Sequence, residues 1–485
     1  MSVHPLSRRI GEVLELDPAA RAIEYDGHWV TWAQLGGLSR QIAAAVQPGA
    51  QVGILLRNTP AHIATVLGVL SAGACVVVIN PSRGDERIRA DITALDLPVI
   101  VGTPDDIELL AEPIDTTTVV SIGDLDSAVQ IRRATPTQPG PATVAVQMLT
   151  SGTTGPPKRV DLTYDMLAVS VIGTDFTAAT APSAVSSSVA IVNAPLVHIG
   201  GVYRVLQCVC EARPFVLLPR FELSSWAEAV RRYRPKAVSL VPAALRMVLH
   251  SDLGPDDLAG VRAVTSGTAP LSAEDAEAFT DKFGIPVLTS YAATEFGGGV
   301  AGWTLADHRT YWQSKRGSVG RASVGAQLRV VSDDGTPLDP DQQGLLEVKP
   351  GQLGPRAQWV RTTDLARIDA DGFLWILGRA DQAIIRGGFK VLPDDVRAAL
   401  ESHPAVLGAA VVGRPDERLG DTPVAMVELR DASSASGTDL TEYLRGRLAP
   451  YEIPSEIAVV ESIPRTPSGK ADLTAVRQHF TGREP

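Results

Sequence analysis

Apolar positions along this chain recur with two periods, and each period predicts a different kind of element. Around the turn pair Asp26-Gly27, residues 23–25 and 28–30 read as the arms of a β-hairpin. Thr31 then reads as a helix cap, with Gln34 three residues on as its capping-box partner. Leu35, Leu38, Ile42 and Val46 give that helix one apolar face. Residues 52–56 read as a strand, 61–70 as a helix, and 98–101 and 119–121 as further strands. Alternation of this sort predicts a parallel sheet covered by helices. The apolar run 142–149 reads as another buried strand, followed by a helix near 164–174 and strands at 190–193, 215–218, 237–241 and 261–266.

From 319 to 348 the texture becomes turn-rich and β-like. A domain boundary is expected at Gly378-Arg379-Ala380-Asp381. Beyond it, 383–386 and 389–391 read as a hairpin, and Pro393 opens a helix with Val396 and Leu400 apolar. Strands at 406–412 and 423–429 and a helix at 440–447 complete a small α+β unit. The expected architecture is α/β: a large N-terminal domain, 1–380, with mixed and parallel sheets and a β-rich subdomain, then a small mobile C-terminal α+β domain, 381–485.

Composition narrows the class. The chain has 485 residues, 45% hydrophobic and 20% charged, as expected of a globular protein of more than one domain. Its net charge of −11, without basic runs, argues against nucleic acid or an anionic membrane as partner. The most apolar stretch, 63–79, is interrupted by Gly68, Ser71 and Gly73, so no membrane span is expected. Cys75, Cys208 and Cys210 supply no disulfide framework; Cys208 and Cys210 are read on one side of a strand, and all three as small apolar core residues. Residues 1–9 lack a signal-peptide core, and a reducing cytoplasm is the expected location.

The candidate chemistry begins at Leu149-Thr150-Ser151-Gly152-Thr153-Thr154-Gly155-Pro156-Pro157-Lys158. Glycine N–H groups can form an anion nest, the hydroxyls donate further hydrogen bonds, and Lys158 adds a point charge. The combination suits a polyphosphate. It is not a Walker A loop, because no Gly-Lys-Ser/Thr closes it and Pro156-Pro157 forbid an immediate helix start.

This string resembles the phosphate loop of the adenylate-forming superfamily, which includes acyl-CoA synthetases, adenylation domains of nonribosomal peptide synthetases and firefly luciferase. Further segments resembling its motifs follow in the family's order over most of the chain. Ser266-Gly267-Thr268-Ala269-Pro270 resembles the segment against adenine. Tyr291-Ala292-Ala293-Thr294-Glu295 resembles the Tyr-Gly-x-Thr-Glu motif, with Ala292 in place of glycine. The resemblance implies that Tyr291 packs by the base, Thr294 touches phosphate and Glu295 holds Mg²⁺. Asp364, in Arg361-Thr362-Thr363-Asp364, resembles the ribose-binding aspartate, with Thr363 where glycine is usual. Arg379 resembles a ribose or phosphate contact, Asp381 the hinge, and Lys470, in Pro467-Ser468-Gly469-Lys470, the catalytic lysine. Gly387, Gly388 and Lys390 resemble the hairpin that lines the path of the thiol.

The activity so implied is ATP-dependent conversion of a carboxylic acid to an acyl-AMP with release of pyrophosphate, then thioester formation. Val197-His198 carries no carboxylate where amino-acid-activating domains have one, which resembles acyl- and aryl-CoA synthetases. His198, Gly200, Val202, Phe296 and Gly297 suggest an apolar, roomy acid pocket. Arg204 stands nearby as a candidate for a second carboxylate, with no motif to place it. The implied acceptor is CoA, the alternative being the phosphopantetheine thiol of an acyl or peptidyl carrier protein. Glu452, where CoA ligases often have lysine, weakens the CoA assignment, and Arg159 departs from the usual glycine. A reading of another class is a non-catalytic nucleotide-binding regulator; the presence of Lys158, Glu295, Asp364 and Lys470 argues against it.

Overall fold

The computed structural model describes residues 3–82, 85–111, 117–132, 143–149, 158–354, 357–386, 389–416, 418–430, 433–466 and 469–482. Three sheets and their helices build the bulk of the chain. The largest has seven strands, in the order Gln130–Arg132, Thr118–Ser121, Val99–Gly102, Gln51–Leu55, Cys75–Ile79, Val144–Leu149, Arg159–Thr163. Its interior pairings are parallel and both edges are antiparallel. The central strands are apolar throughout, since helices cover both faces.

The helix Trp32–Ala45 starts as the sequence predicts. Thr31 Oγ1 accepts from Gln34 N–H, and the Gln34 side chain accepts from Thr31 N–H at 3.0 Å. Such a cap contributes about 1 kcal/mol. The helix lies so close to Pro60–Ser71 that a Cβ on Gly68 would stand 2.5 Å from the Ser39 carbonyl.

A second sheet runs Ala237–Ser239, Ala263–Ser266, Val287–Ala293, Gly298–Gly302, Arg321–Ala322. Its first three strands are parallel and the rest antiparallel. A third carries Arg21–Tyr25 and His28–Thr31, the predicted hairpin, beside Phe215–Leu217 and Ala190–Val192. The turn-rich region is a four-stranded antiparallel sheet, Gln327–Val331, Gln343–Lys349, Val360–Ile368 and Leu374–Arg379. After Arg379 the chain forms another sheet, with Ile384–Arg386, Phe389–Val391, Val406–Asp416, Gly420–Leu429 and Glu456–Val460, flanked by helices that include Pro393–Glu401. Apolar clusters fill both faces of it, Val396, Leu400 and Leu440 on one side and Val476 and Phe480 on the other. The fold is therefore α/β with mixed sheets, a large N-terminal part and a small C-terminal one.

One expectation is corrected. Cys208 and Cys210 lie in the helix Ile199–Cys210, not on a strand. Val202, Val205, Leu206 and Val209 recur at helical spacing, and that longer pattern overrides the short alternation around Cys208-Val209-Cys210. The three thiols are free and buried, and burial pushes each up to about 12. Among the described residues no helix is long and apolar enough to cross a membrane.

Candidate active site

The strand Val287–Ala293 ends in the short 3-10 turn Thr294–Phe296, and the chain returns antiparallel as Gly298–Gly302. The reversal needs glycine: Gly297 has φ +71°, and a Cβ there would stand 2.5 Å from Met166 Cε. Phe296 is buried beneath the turn, so Thr294 and Glu295 are held on a fixed base. The strand Arg159–Thr163 packs alongside this turn. It is the strand that follows the glycine- and hydroxyl-rich string, and Lys158 immediately precedes it. Thr150, Ser151, Gly152, Thr153, Thr154 and Gly155 lie outside the described residues. Arg159 is explained: its guanidinium donates to Asp91 at 2.6 Å and to the Val78 carbonyl at 3.1 Å, tying this edge strand to the helix Asp85–Leu95 and to the strand Cys75–Ile79 of the same sheet.

Beside Tyr291, the parallel strand Ala263–Ser266 ends in Ser266-Gly267-Thr268. A Cβ on Gly267 would lie 2.8 Å from Ser290 Oγ, and Thr268 holds φ +71°, a left-handed conformation rare for a β-branched residue. Strain of this sort concentrates where backbone is shaped for a ligand. Ala269 and Pro270 continue the segment at the carboxyl ends of parallel strands, where α/β sheets bind ligands.

Tyr291 reaches across to the antiparallel sheet, where its hydroxyl donates to Asp364 Oδ2. Burial pushes the Asp364 carboxyl up from its ordinary range; the Tyr291 hydroxyl and the Arg379 charge oppose the shift. Arg379 is the register partner of Asp364. It donates to Thr363 Oγ1 at 2.7 Å and to both Asp381 oxygens at 2.9 and 2.7 Å.

From the C-terminal part comes Lys470. A tight turn presents it: Thr466 N–H donates to the Lys470 carbonyl at 2.7 Å, and Gly469, at φ +79°, donates to the Thr466 carbonyl at 2.8 Å. The Lys470 side chain is exposed to solvent on one side, yet the groups packed around it partly desolvate the ammonium. That desolvation, with the charge of Arg379, pushes its pKa down, while Glu295 pulls the other way. His198, at the start of Ile199–Cys210, is depressed by burial and by the charge of Lys470. Its Nε2 is buried and has no hydrogen-bond partner among the described residues. Lys470, Glu295, Arg379, Asp364, Tyr291 and His198 thus share one electrostatic neighbourhood, although they come from widely separated parts of the chain.

Next to it opens a cleft of roughly 420 Å³. Gly200, Tyr203, Arg204 and Gln207, one face of a single helix, form one wall; Gly298, Gly299 and Gln352 face them. The expected apolar pocket is not what stands here, because these side chains are largely polar. Val202 lies on the opposite face of the helix, 2% exposed in the core, and Phe296 is 1% exposed beneath the turn. Gly297 touches the cleft through its carbonyl, which accepts from Ser170 at 3.2 Å and from Tyr203. Gly201 has a packing role: a Cβ there would fall 2.2 Å from the Pro195 carbonyl. Sequence reasoning missed Tyr203, Gln207 and Gln352. The first two were visible as polar positions at i+3 and i+7 from Gly200.

Elsewhere, Gly387, Gly388 and the Lys390 side chain lie outside the described residues. Their neighbour Phe389 is exposed and stacks on Tyr451 at 4.6 Å between ring centroids. The metal expectation was tested on the donor set. Among the described residues no group of three or more His, Cys, Asp or Glu side chains could hold an ion. A single carboxylate, Glu295, fits a cation bound chiefly by the oxygens of a nucleotide.

The family model for "AMP-binding enzyme" matches residues 12–354, and that for "AMP-binding enzyme C-terminal domain" matches residues 395–470. Feruloyl-CoA synthase from Amycolatopsis sp is 29% identical, with 96% of this chain and 97% of that protein covered. Sulfoacetate–CoA ligase from Cupriavidus necator is 30% identical, with 93% of each covered. Among solved structures, ATP-bound MatB from Rhodopseudomonas palustris superposes with a TM-score of 0.81 at 23% identity, covering 99% of each chain. The amide bond synthetase McbA from Marinactinospora thermotolerans gives 0.81 at 26% identity, covering 99% of this chain and all of its own (100%).

Proposed function

Since this chain belongs to the AMP-binding enzyme family, we propose that it is an AMP-forming acid–thiol ligase, activating a carboxylic acid with ATP and passing the acyl group to CoA. The observation that carries this reading is the presence of Lys470, from the C-terminal part, within the charge field of Glu295, Arg379 and His198. A protein that only bound a nucleotide would not need a desolvated cation there.

A carboxylate is a poor electrophile. Attack of its oxygen on the α-phosphate of ATP forms a mixed anhydride and breaks the bond to pyrophosphate. In this reading the string from Thr150 to Gly155, with Lys158, cradles the phosphates, and Thr294 touches them. Ser266, Gly267, Thr268, Ala269 and Pro270 lie against the adenine with Tyr291 and Ala292. Asp364 accepts from the ribose hydroxyls, and Arg379 contacts ribose or phosphate. Lys470 meets the oxygens on which charge accumulates, an interaction useful where it strengthens toward the transition state. Mg²⁺, when bound through Glu295, supplies charge neutralisation to the phosphates. His198 and the cleft along Gly200 hold the acid.

The division of labour is by domain. Residues 1–380 hold ATP and acid, and 381–485 form the mobile unit that delivers Lys470, with Asp381 at the joint. The segment of Gly387, Gly388 and Lys390 lies along the thiol's path. CoA is the acceptor rather than a carrier protein, in keeping with the CoA ligases among the relatives. A reducing cytoplasm supplies the ATP and the free thiol that this chemistry uses.

Acid-dependent ATP–pyrophosphate exchange tests the first half, and CoA thioester formation the second. Exchange that appears only with acid present supports the ligase. ATP binding with no exchange across a broad acid panel supports a regulator instead. Exchange with transfer to a carrier-protein thiol but not to CoA would replace the acceptor alone.

A further inference from the structure

Among the described residues Arg204 is the one charged side chain on the wall of the 420 Å³ cleft, and none of them that lines it is acidic. Its guanidinium has a hydrogen-bond partner but no counter-ion: Nη1 donates to Gln207 Oε1 at 3.0 Å. Gln207 in turn donates to Glu211 at 3.0 Å, and the Glu211 carboxylate pairs with Arg213 at 2.8 Å. The acid that caps this helix, Glu211, is therefore engaged with another arginine. Among the described residues none makes an ion pair with Arg204.

The facing wall is also incompletely satisfied. Gln352 Nε2 donates to the Gly299 carbonyl at 2.8 Å, which fixes the amide's orientation, and its Oε1 is shut from solvent with no donor among the described residues. A cation without a carboxylate on the wall of a largely polar cleft suits a polar guest better than a hydrocarbon chain. Space for the guest lies over Gly200, where a Cβ would meet nothing within 4 Å. Gly200 is one helical turn from Arg204, about 6 Å along the axis, on the side toward His198.

We propose that the acid carries a second anionic group, a carboxylate or sulfonate, at the end remote from the reacting carboxylate, and that Arg204 is the residue that selects it. This rests on the ligase reading above and deepens it. The reacting carboxylate lies at the His198 and Lys470 end, the body of the acid passes over Gly200, and the far anion takes the guanidinium fork that no protein carboxylate occupies.

The test is pyrophosphate exchange by the full-length protein with acids paired by length, one member ending in methyl and the other in carboxylate or sulfonate. The anion-ended member is expected to have the higher kcat/KM by about 10²-fold, the upper worth of hydrogen bonds to a charged group. Arg204→Gln should reduce that ratio to a few-fold, mostly through KM of the anion-ended acid, while Arg204→Lys keeps part of it. Melting curves on both variants check that the fold persists. Exchange with methyl-ended acids at equal or higher kcat/KM overturns the inference and leaves the ligase intact. An equal loss for both members in Arg204→Gln also overturns it, making the arginine a packing residue. Absence of exchange with every acid, with ATP still bound, overturns the ligase reading and this one with it.

Discussion

The Tyr291 hydroxyl donates to the Asp364 carboxylate across a gap between two sheets, one mixed and one antiparallel. That contact keeps the carboxylate more acidic than its burial alone would leave it. Asp364→Ala should weaken ATP binding by about 2–3 kcal/mol, the worth of hydrogen bonds to a charged acceptor. Titration calorimetry reads it. The pH dependence has a definite sign. Protonation removes the acceptor, and the carboxyl sits above the ordinary range, so affinity falls on acidification sooner than for an exposed aspartate. Tyr291→Phe removes a group that holds the pKa down, so the acid limb should move to higher pH. A limb that stays put, or moves lower, contradicts the role given to Asp364.

Lys470→Ala should slow pyrophosphate exchange by roughly 10²–10³-fold. Burial and Arg379 both depress the ammonium, so its charge, and with it the exchange rate, should be lost at a lower alkaline pH than for a free lysine. Lys470→Arg, charged throughout that range, should have a lower plateau and no such limb. An alkaline limb unchanged in Lys470→Arg would assign it to another group.

Arg246 joins the two parts of the molecule. It donates to Asp275 at 2.7 Å on its own side and to Glu401 at 3.2 Å on the C-terminal helix Pro393–Glu401. His250 and Arg430 meet nearby. Both ion pairs of Arg246 are largely buried; without Arg246, Glu401 keeps its pair with Arg397 at 2.8 Å, so what is lost is mainly the link between the two parts. Arg246→Ala should loosen the docking of the C-terminal part more than it unfolds either part. The expected signs are faster protease cleavage between 380 and 392 and slower exchange. Unchanged cleavage and rate would show that other contacts hold the two parts together.

His62 sets a limit on stability in acid. It is 1% exposed, its ring nitrogen Nδ1 bonds Thr59 Oγ1 at 2.8 Å, and burial pushes its pKa down to about 4. The unfolded chain binds this proton from about 6.5 downward, the folded one only near 4, so stability is full above 6.5 and falls between those values. The loss approaches about 3 kcal/mol at its limit. Urea unfolding from pH 7.5 to 4 should show it, and His62→Leu should flatten the slope over that window. An equally steep slope in the variant would place the acid sensitivity elsewhere.

Local signals in the sequence carried far. The Thr31–Gln34 capping box, the hairpin at Asp26-Gly27 and the helix opened by Pro393 all form where the residues predict. The motif order identified the family. What the sequence hid was of two kinds. Contacts such as Tyr291 with Asp364, or Arg246 with Glu401, 155 positions apart, depend on how sheets and domains meet, which no local pattern encodes. The helix after His198 was obscured for a different reason. Gly200-Gly201 are weak helix formers, so the polar face carrying Tyr203, Arg204 and Gln207 was not separated from the apolar face carrying Val202. Arg159 was uninterpretable until Asp91 was seen beside it.

The Ile199–Cys210 helix keeps its two duties on opposite sides: Val205, Leu206 and Val209 anchor it, while Gly200, Tyr203, Arg204 and Gln207 look into the cleft. Selection can therefore rewrite the cleft-facing letters with little penalty in folding, so one scaffold can be retuned from guest to guest by a handful of codon changes along a single rod.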